Sequence, residues 1–315
     1  MVIAENDRPP TGETFALAIV AVGYERRCRW VVEQHAISAS RGLGLEFGFL
    51  KAGSYQDNKT FFLNKSYTLL SGVDASATTA ISNAVLETPA DEECRIFVDI
   101  SSMSREMIAN VALGMQLAAK FRTIRLATAY APSKFVGPYQ AAPIRVANPI
   151  VPALAGWSSR AERPLGIIFG LGCEPGLALG ALQYLEPNKA WTFAPQGNDP
   201  AYDEAMRQAN EHIDDIFDVT EFNYEISKPT HTRGRLEALL NALESDFRLL
   251  VVPFGPKMFA WLSVSTAVFC DRNIGLWAFS SKDHAVVVDR DAEGPVIWHN
   301  LLLSPRRSGA QDTAS

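Results

Sequence analysis

The feature that most constrains the fold of this chain is an internal repeat. Four segments recur in the same order in the two halves of the sequence, at offsets of 148 to 152 residues. The matched pairs are 23–25 with 172–174, 99–105 with 251–257, 124–134 with 274–282, and 143–148 with 295–300. Collinear matches at a nearly constant offset indicate a duplication, because each match alone would be a coincidence. We therefore predict that the 315 residues contain two copies of one structural unit.

Each half alternates short apolar runs with helical patterns. The runs 15–22 and 165–169 are continuous and apolar, and 95–100 is a short run that is mostly apolar, which is typical of strands buried on both faces. Strands alternating with helices favour a parallel sheet between helical layers. The predicted fold class is therefore α/β, with two tandem Rossmann-like three-layer units, each with a mostly parallel sheet and a C-terminal hairpin. In the second half this hairpin joins 284–288 to 295–302 through the DAEG turn.

The repeat and the composition also predict the domain boundaries. A polar tail spans 1–13, the first unit 14–155, a linker 156–163, the second unit 164–303, and a disordered tail 304–315. The linker follows from a stretch rich in proline, alanine, glycine and serine.

Composition excludes several functions. The formal net charge of -6 argues against non-specific binding of duplex DNA, which needs a basic surface. No apolar stretch is long enough to span a membrane, and the N-terminus lacks the pattern of a signal peptide. The four scattered cysteines indicate the reducing cytoplasm, and the five histidines lack metal-ligand spacing. We expect a cytoplasmic protein with no metal and no cofactor.

The repeated segments fall where an open α/β sheet binds ligands, beyond the carboxyl ends of its strands. The relevant loops are GYERR (23–27) and DISSMSR (99–105) in the first half, and GLGCEPG (170–176) and PFGPK (253–257) in the second. The predicted ligand-binding residues are Gly23, Tyr24, Glu25, Arg27, Asp99, Ser101, Ser102, Ser104, Arg105, Gly172, Glu174, Gly255, Pro256 and Lys257.

The DISSMSR segment has the composition of an anion site. Serine hydroxyls and free N–H groups at the start of a helix suit an anion, and Arg105 adds a donor that can hold phosphate. A cation recurs at the equivalent Lys257. The alternative is that a serine only caps the helix. A desolvated Arg105 needs either an internal partner, such as Asp99, or a bound anion.

Two acids occupy equivalent positions after the first strand of each half. Glu25 and Glu174 each follow a strand and a glycine. Such an acid could bind a ribose hydroxyl or a base edge, or act as a general base. It could also simply stabilise the first turn of a helix through the helix dipole. The catalytic residues therefore remain unknown, with Glu25, Asp99 and Glu174 as candidates.

Other nucleotide-binding motifs are missing. GLGCEPG has Pro175 where the dinucleotide fingerprint G-x-G-x-x-G needs its last glycine. The chain contains neither a P-loop nor the G-x-S-x-G motif of a serine hydrolase.

The segments DISSMSREM and VPFGPKMFA resemble the ligand-binding turn of the CARF family (CRISPR-associated Rossmann fold). In that family a small-residue turn after a strand, typically D-x-T-G-G-T-K, holds the phosphates of a cyclic oligoadenylate. The loop after the first strand completes the pocket. The resemblance implies this role for Asp99, Ser101, Ser102, Ser104, Arg105, Gly255, Pro256 and Lys257. Fused pairs of such domains act as sensors in bacterial antiphage systems.

The leading hypothesis is a cytoplasmic sensor or binding protein for an anionic, nucleotide-derived ligand. The expected partners are that ligand and a separately encoded protein effector, with no membrane. One alternative is an enzyme on a nucleotide or nucleoside, of hydrolase or glycosidase type, using Glu25 or Glu174 with Asp99. A second alternative is a non-catalytic scaffold component of a larger complex.

Overall fold

The computed structural model describes residues 1–48, 51–89, 93–156, 161–280 and 288–305. Within these ranges the chain forms two mixed, mostly parallel sheets of seven and six strands, which alternate with helices. This arrangement confirms the predicted α/β class with two Rossmann-like units. In the same part of the chain, no helix combines the length and apolar character needed to cross a membrane.

The first half contains β1 (Val2–Asn6), β2 (Thr14–Val22), α1 (Trp30–Gln34), β3 (Ser38–Glu46), α2 (Tyr55–Asn64), β4 (Tyr67–Ser71), α3 (Ala77–Leu86), β5 (Cys94–Asp99), α4 (Arg105–Ala118), β6 (Ile124–Tyr130) and β7 (Val146–Pro149). The second half contains β8 (Leu165–Gly170), α5 (Leu177–Leu185), β9 (Lys189–Gln196), α6 (Pro200–Asn210), α7 (Ile213–Ile216), β10 (Val219–Glu225), α8 (Pro229–Leu243), β11 (Arg248–Pro253), α9 (Lys257–Phe269), β12 (Gly275–Ser280) and β13 (Ile297–Leu303).

Five strands in each half lie in the same order. The first sheet contains the parallel series β4-β3-β2-β5-β6, and the second contains β10-β9-β8-β11-β12. The central strands are apolar because helices cover both faces of each sheet. The whole of β8 is buried, for example, as is β2 from Leu17 to Val22. The equivalent order in the two halves agrees with the internal repeat.

The two halves exchange one strand each. β7 leaves the first half and pairs antiparallel with β12, while β13 leaves the second half and pairs antiparallel with β6. Each half therefore completes the sheet of the other, which is the reciprocal pattern of a two-fold interface.

The exchange corrects the hairpin predicted near the C-terminus. β13 lies between β6 and β1, so its partners come from the first half. The DAEG segment does not turn back on β13. It runs beside 132–134, where the backbone N–H of Lys134 donates to the carbonyl of Asp291, and that of Glu293 to Pro132. Of the predicted strand 284–288, only Val288 lies within the described residues. Residues 2–6 of the predicted polar tail form β1 and pair with β13.

Two equivalent helices join the halves. α4 packs against α9, and every residue of α9 from Met258 to Phe269 is buried. This burial explains why α9 is apolar on all sides rather than on one stripe. Because α4 follows β5 and α9 follows β11, the packing brings the carboxyl ends of both sheets close together.

Candidate functional site

A cavity of about 450 Å³ opens beyond the carboxyl ends of β8, β9 and β11. Both halves line it. The first half contributes Arg27, Arg105, Tyr130, Ser133 and Tyr139, and the second half contributes the loops after its strands. This is the edge at which open α/β sheets bind ligands.

The loops after β8 and β11 approach each other at a glycine. The backbone N–H of Gly255 donates to the carbonyl of Gly170 at 3.0 Å. A Cβ atom on Gly255 would lie 2.2 Å from the carbonyl oxygen of Leu171. Only glycine permits this approach, which sets the position of Lys257 two residues further on.

Arg105 connects the two halves at the edge of the cavity. It begins α4, and its Nε and Nη2 groups donate to the carbonyl oxygens of Pro253 and Phe254, each at 2.5 Å. Its partners are thus backbone carbonyls of the other half rather than Asp99. The preceding Ser104 caps α4, since its hydroxyl accepts from the N–H of Met107 at 3.1 Å.

Lys257 begins α9 and also lines the cavity. It makes no hydrogen bond or ion pair with any residue that the structure describes. Burial and the nearby guanidinium of Arg105 lower the pKa of the Lys257 ammonium to about 7, against the opposing effects of Glu25 and Glu174. Near neutral pH the side chain is therefore present both as the neutral amine and as the charged ammonium.

Glu25 is buried as the counter-ion of Arg27. Only 6% of Glu25 is exposed, and its Oε2 lies 2.5 Å from Arg27 Nε. Ser102 donates its hydroxyl to the same oxygen at 3.3 Å, and Arg290 Nη1 lies 3.5 Å from Oε1. Burial alone would lower the pKa of Arg27, but the charge of Glu25 outweighs this and raises it. Glu25 thus stabilises a buried cation.

Asp99 lies deeper in the first half and does not line the cavity. The N–H and hydroxyl groups of Ser101 donate to Oδ1 at 2.9 and 2.5 Å, whereas Oδ2 has no hydrogen-bond partner among the described residues. Burial raises the pKa of the carboxyl to about 6, although the bonds from Ser101 and the charge of Arg27 act against this. The Ser101 hydroxyl also accepts from the N–H of Ala131 at 2.7 Å. These contacts join β5 to the end of β6.

A segment from the second half covers this end of the first sheet. Asp289 accepts from the N–H of Arg26 at 2.6 Å and from the hydroxyl of Ser54 at 2.5 Å. The neighbouring Arg290 contributes its carbonyl to the N–H of Arg27 at 3.3 Å. The strand ends of the first half are therefore closed by internal contacts.

The structure divides the predicted ligand-binding residues into two groups. Those that line the cavity are Arg27, Arg105, Gly172, Glu174, Gly255, Pro256 and Lys257. The others, Gly23, Tyr24, Glu25, Asp99, Ser101, Ser102 and Ser104, lie outside its lining. Of the three candidate catalytic acids, Glu174 alone lines the cavity, where it is exposed.

Sequence reasoning missed three tyrosines that line the cavity. Tyr130 ends β6, Tyr139 lies in the segment between β6 and β7, and Tyr202 lies on α6. The hydroxyls of Tyr202 and Ser133 are 2.7 Å apart, and the ring of Phe135 meets Tyr202 edge-on at 5.0 Å. The segment that carries Tyr139 crosses the cavity because β7 joins the other sheet. The sequence could therefore indicate these tyrosines only if the exchange of strands between the two sheets were already known.

Further charged residues also line the cavity. They are the acids Asp199, Asp203 and Glu293 and the cation Arg290. Asp199 caps α6, and Asp203 accepts from the N–H of Gly197 at 3.2 Å. The acids of α6 thus lie on a different element from Arg105 and Lys257, which begin α4 and α9. Among the described residues, no group of three or more histidine, cysteine or acidic side chains could hold a metal ion.

No protein-family model matches the chain, and no curated protein matches it either.

Proposed function

We propose that the protein binds an anionic, nucleotide-derived small molecule in the cavity at the strand ends of the second half. This proposal rests on the position of Lys257. Its side chain lines the cavity and makes no hydrogen bond or ion pair with any described residue. A desolvated lysine without a partner is unfavourable in the empty protein. A bound anion supplies the missing partner.

The size of the cavity supports a ligand of nucleotide dimensions. Small-molecule sites typically occupy about 300–1,000 Å³, and this cavity measures about 450 Å³. A single nucleotide is therefore favoured over a large cyclic oligonucleotide.

The start of α9 suits the phosphate. Within the described part of the chain no side chain caps this helix, because Pro256 stands at its N-cap position. The unpaired N–H groups and the dipole of a helix N-terminus attract a phosphate, and Lys257 lies beside them. Arg105 is fixed nearby by its two carbonyl partners. The cationic end of the cavity is thus in place before a ligand binds.

The rest of the cavity suits the nucleoside. Asp199 and Asp203 can accept hydrogen bonds from ribose hydroxyls or base amino groups, as carboxylates do in dinucleotide sites. Tyr139 and Tyr202 offer aromatic rings against which a base can stack. A simple polyanion would leave these acids without a favourable contact.

Binding rather than turnover is the function that the placement of the acids supports. The proposed enzyme needs Glu25 or Glu174 together with Asp99, but Glu25 and Asp99 lie outside the cavity lining. Glu25 is engaged by Arg27. The wider role as a sensor in antiphage defence, with a separate effector, rests on the CARF resemblance and belongs to the same proposal.

Thermal melts with a ligand panel test this proposal. The panel contains AMP, ATP, cyclic AMP, cyclic oligoadenylates and inorganic phosphate, and each mixture is also analysed for turnover. We expect at least one nucleotide to raise the melting temperature without being consumed. In Lys257→Met the affinity should fall by about tenfold or more, since a charge-assisted contact is lost. The exposed Lys120, just beyond α4, provides the matched control Lys120→Met. If no nucleotide shifts the wild-type melt, the proposal is wrong.

A further inference from the structure

The cations near Lys257 are held in place by their own hydrogen bonds, so they continue to repel its ammonium group. The charged groups that act on it are Arg105 at the start of α4, Arg27 and Glu25 after β2, and Glu174 after β8. Arg105 is held by two backbone carbonyls, and Arg27 by Glu25 and the carbonyl of Ala131. Neither guanidinium can turn away from Lys257 without losing these partners.

This environment favours the neutral amine. With a pKa of about 7, about half of the Lys257 side chains are unprotonated at neutral pH, compared with fewer than about one in a thousand for an ordinary lysine. An amine made neutral by burial and a neighbouring cation is the form that attacks carbonyl groups. Cys173 also lines the cavity, but burial raises the pKa of its thiol to about 12, so the thiol stays protonated. Lys257 is therefore the better nucleophile of the two.

We propose that Lys257 forms a reversible imine with a phosphorylated aldehyde bound in this cavity. The inference rests on the proposed function, because the same cationic groups hold the phosphate. Ribose 5-phosphate, the part of a nucleotide that remains when the base is lost, has the required chemistry in its open-chain form. Its phosphate meets Arg105 and the start of α9, while its hydroxyls meet the acids of α6.

The reaction requires no oxidant, reductant or additional reactant. The nitrogen lone pair of Lys257 attacks the aldehyde carbon, and the C=O π electrons move to oxygen, which takes up a proton. The nitrogen loses a proton, for which the exposed carboxylate of Glu174 on the neighbouring loop is an acceptor. A second proton on the hydroxyl allows water to leave, and the C=N bond forms. Addition of water reverses the process.

Reductive trapping tests this proposal on the full-length protein. The protein is incubated with pyridoxal 5′-phosphate or ribose 5-phosphate and sodium cyanoborohydride, then digested and mapped by mass spectrometry. We expect Lys257 to be labelled at least about tenfold faster than exposed lysines at pH 7, because its neutral fraction is larger. Pyridoxal and ribose, which lack the phosphate, should label it more slowly. Excess inorganic phosphate should also protect Lys257.

The variants separate this proposal from the proposed function. Lys257→Arg keeps the charge but cannot form an imine, so it should lose the label at this position. Lys120→Arg should behave as wild type in both assays. If nucleotides stabilise the protein but Lys257 is labelled no faster than Lys120, the imine proposal is wrong and the binding proposal stands. If Lys257 is labelled selectively but no nucleotide stabilises the protein, the binding proposal is wrong and the imine proposal stands.

Discussion

The two halves share one strand order but differ at the carboxyl ends of their strands. In the first half Ser104 caps α4, and Glu25 pairs with Arg27. In the second half the equivalent positions hold Pro256, which provides no cap, and Glu174, which is exposed. The first strand-end site is closed by internal contacts, whereas the second borders an open cavity. The two copies of a duplicated fold can thus differ at equivalent strand ends.

The connecting segments reinforce this difference. The segment before β13 brings Asp289 and Arg290 onto the loops of the first half, where both make polar contacts. The segment before β7 brings Ser133 and Tyr139 to the second half, where they line the cavity. The strand exchange therefore closes one site and helps to shape the other.

The largest expected difference concerns the two equivalent acids. Glu25→Gln removes the counter-ion of the buried Arg27, and loss of one partner of a buried ion pair lowers the free energy of unfolding by about 3–5 kcal/mol. Glu174→Gln changes an exposed side chain, so its effect should stay within about 0.5 kcal/mol. Urea unfolding of the two variants measures both values. Equal destabilisation by the two changes would contradict the division into a closed and an open site.

Of the two equivalent cations, Arg105 in the first half should again contribute more to the stability of the folded protein than Lys257 in the second half. Arg105→Ala leaves the carbonyls of Pro253 and Phe254 without their donor, which should lower the free energy of unfolding by about 1–3 kcal/mol. Lys257→Met removes a partly buried charge that has no ion-pair partner in the described ranges, and it should leave stability unchanged or slightly increased. Thermal melts without ligand compare the variants. A strongly destabilised Lys257→Met would show that this lysine has an internal partner.

The pH dependence of stability sharpens this comparison. Lys257 has a pKa of about 7 in the folded protein and an ordinary value of 10.5. Between these values the unfolded chain binds the extra proton, so stability should rise with pH across this window. At pH 6 the wild type should be less stable than Lys257→Met, and by pH 10 the difference should be largely lost. Unfolding curves at several pH values check this, and a constant difference would exclude Lys257 as its source.

The sequence predicts the layout of the fold better than its contacts. The apolar runs of β2 and β8 are visible because both faces of these strands are buried. α9 begins at Lys257, the position that the repeat makes equivalent to Arg105 at the start of α4. α2 was not predicted because Tyr55–Asn64 shows little helical periodicity. The strand exchange was missed because a local pattern does not reveal which strand becomes the neighbour.

The candidate site shows the same limit. The repeat located the cavity-lining turn Gly255–Lys257, since equivalent segments follow equivalent strands. It did not reveal that Arg105 bonds to backbone carbonyls of the other half, because every residue offers the same carbonyl group. The partner of Glu25 was also hidden, since Arg27 lies in a series of arginines with different orientations.

The smallest expected effects on stability come from substitutions at the N-cap positions of α4 and α9. Ser104→Ala removes the cap of α4 and should lower the free energy of unfolding by about 1 kcal/mol.

Ser104 and Pro256 have similar extended backbones, with φ and ψ of -70° and 164° for Ser104 and of -53° and 146° for Pro256. A serine at 256 can therefore place its hydroxyl over the start of α9. Pro256→Ser should stabilise the protein by no more than about 1 kcal/mol and weaken nucleotide binding, because the hydroxyl competes with the phosphate for the same N–H groups. Urea unfolding and calorimetric titration of both variants measure these effects. The phosphate does not bind at the start of α9 if Pro256→Ser leaves the affinity unchanged.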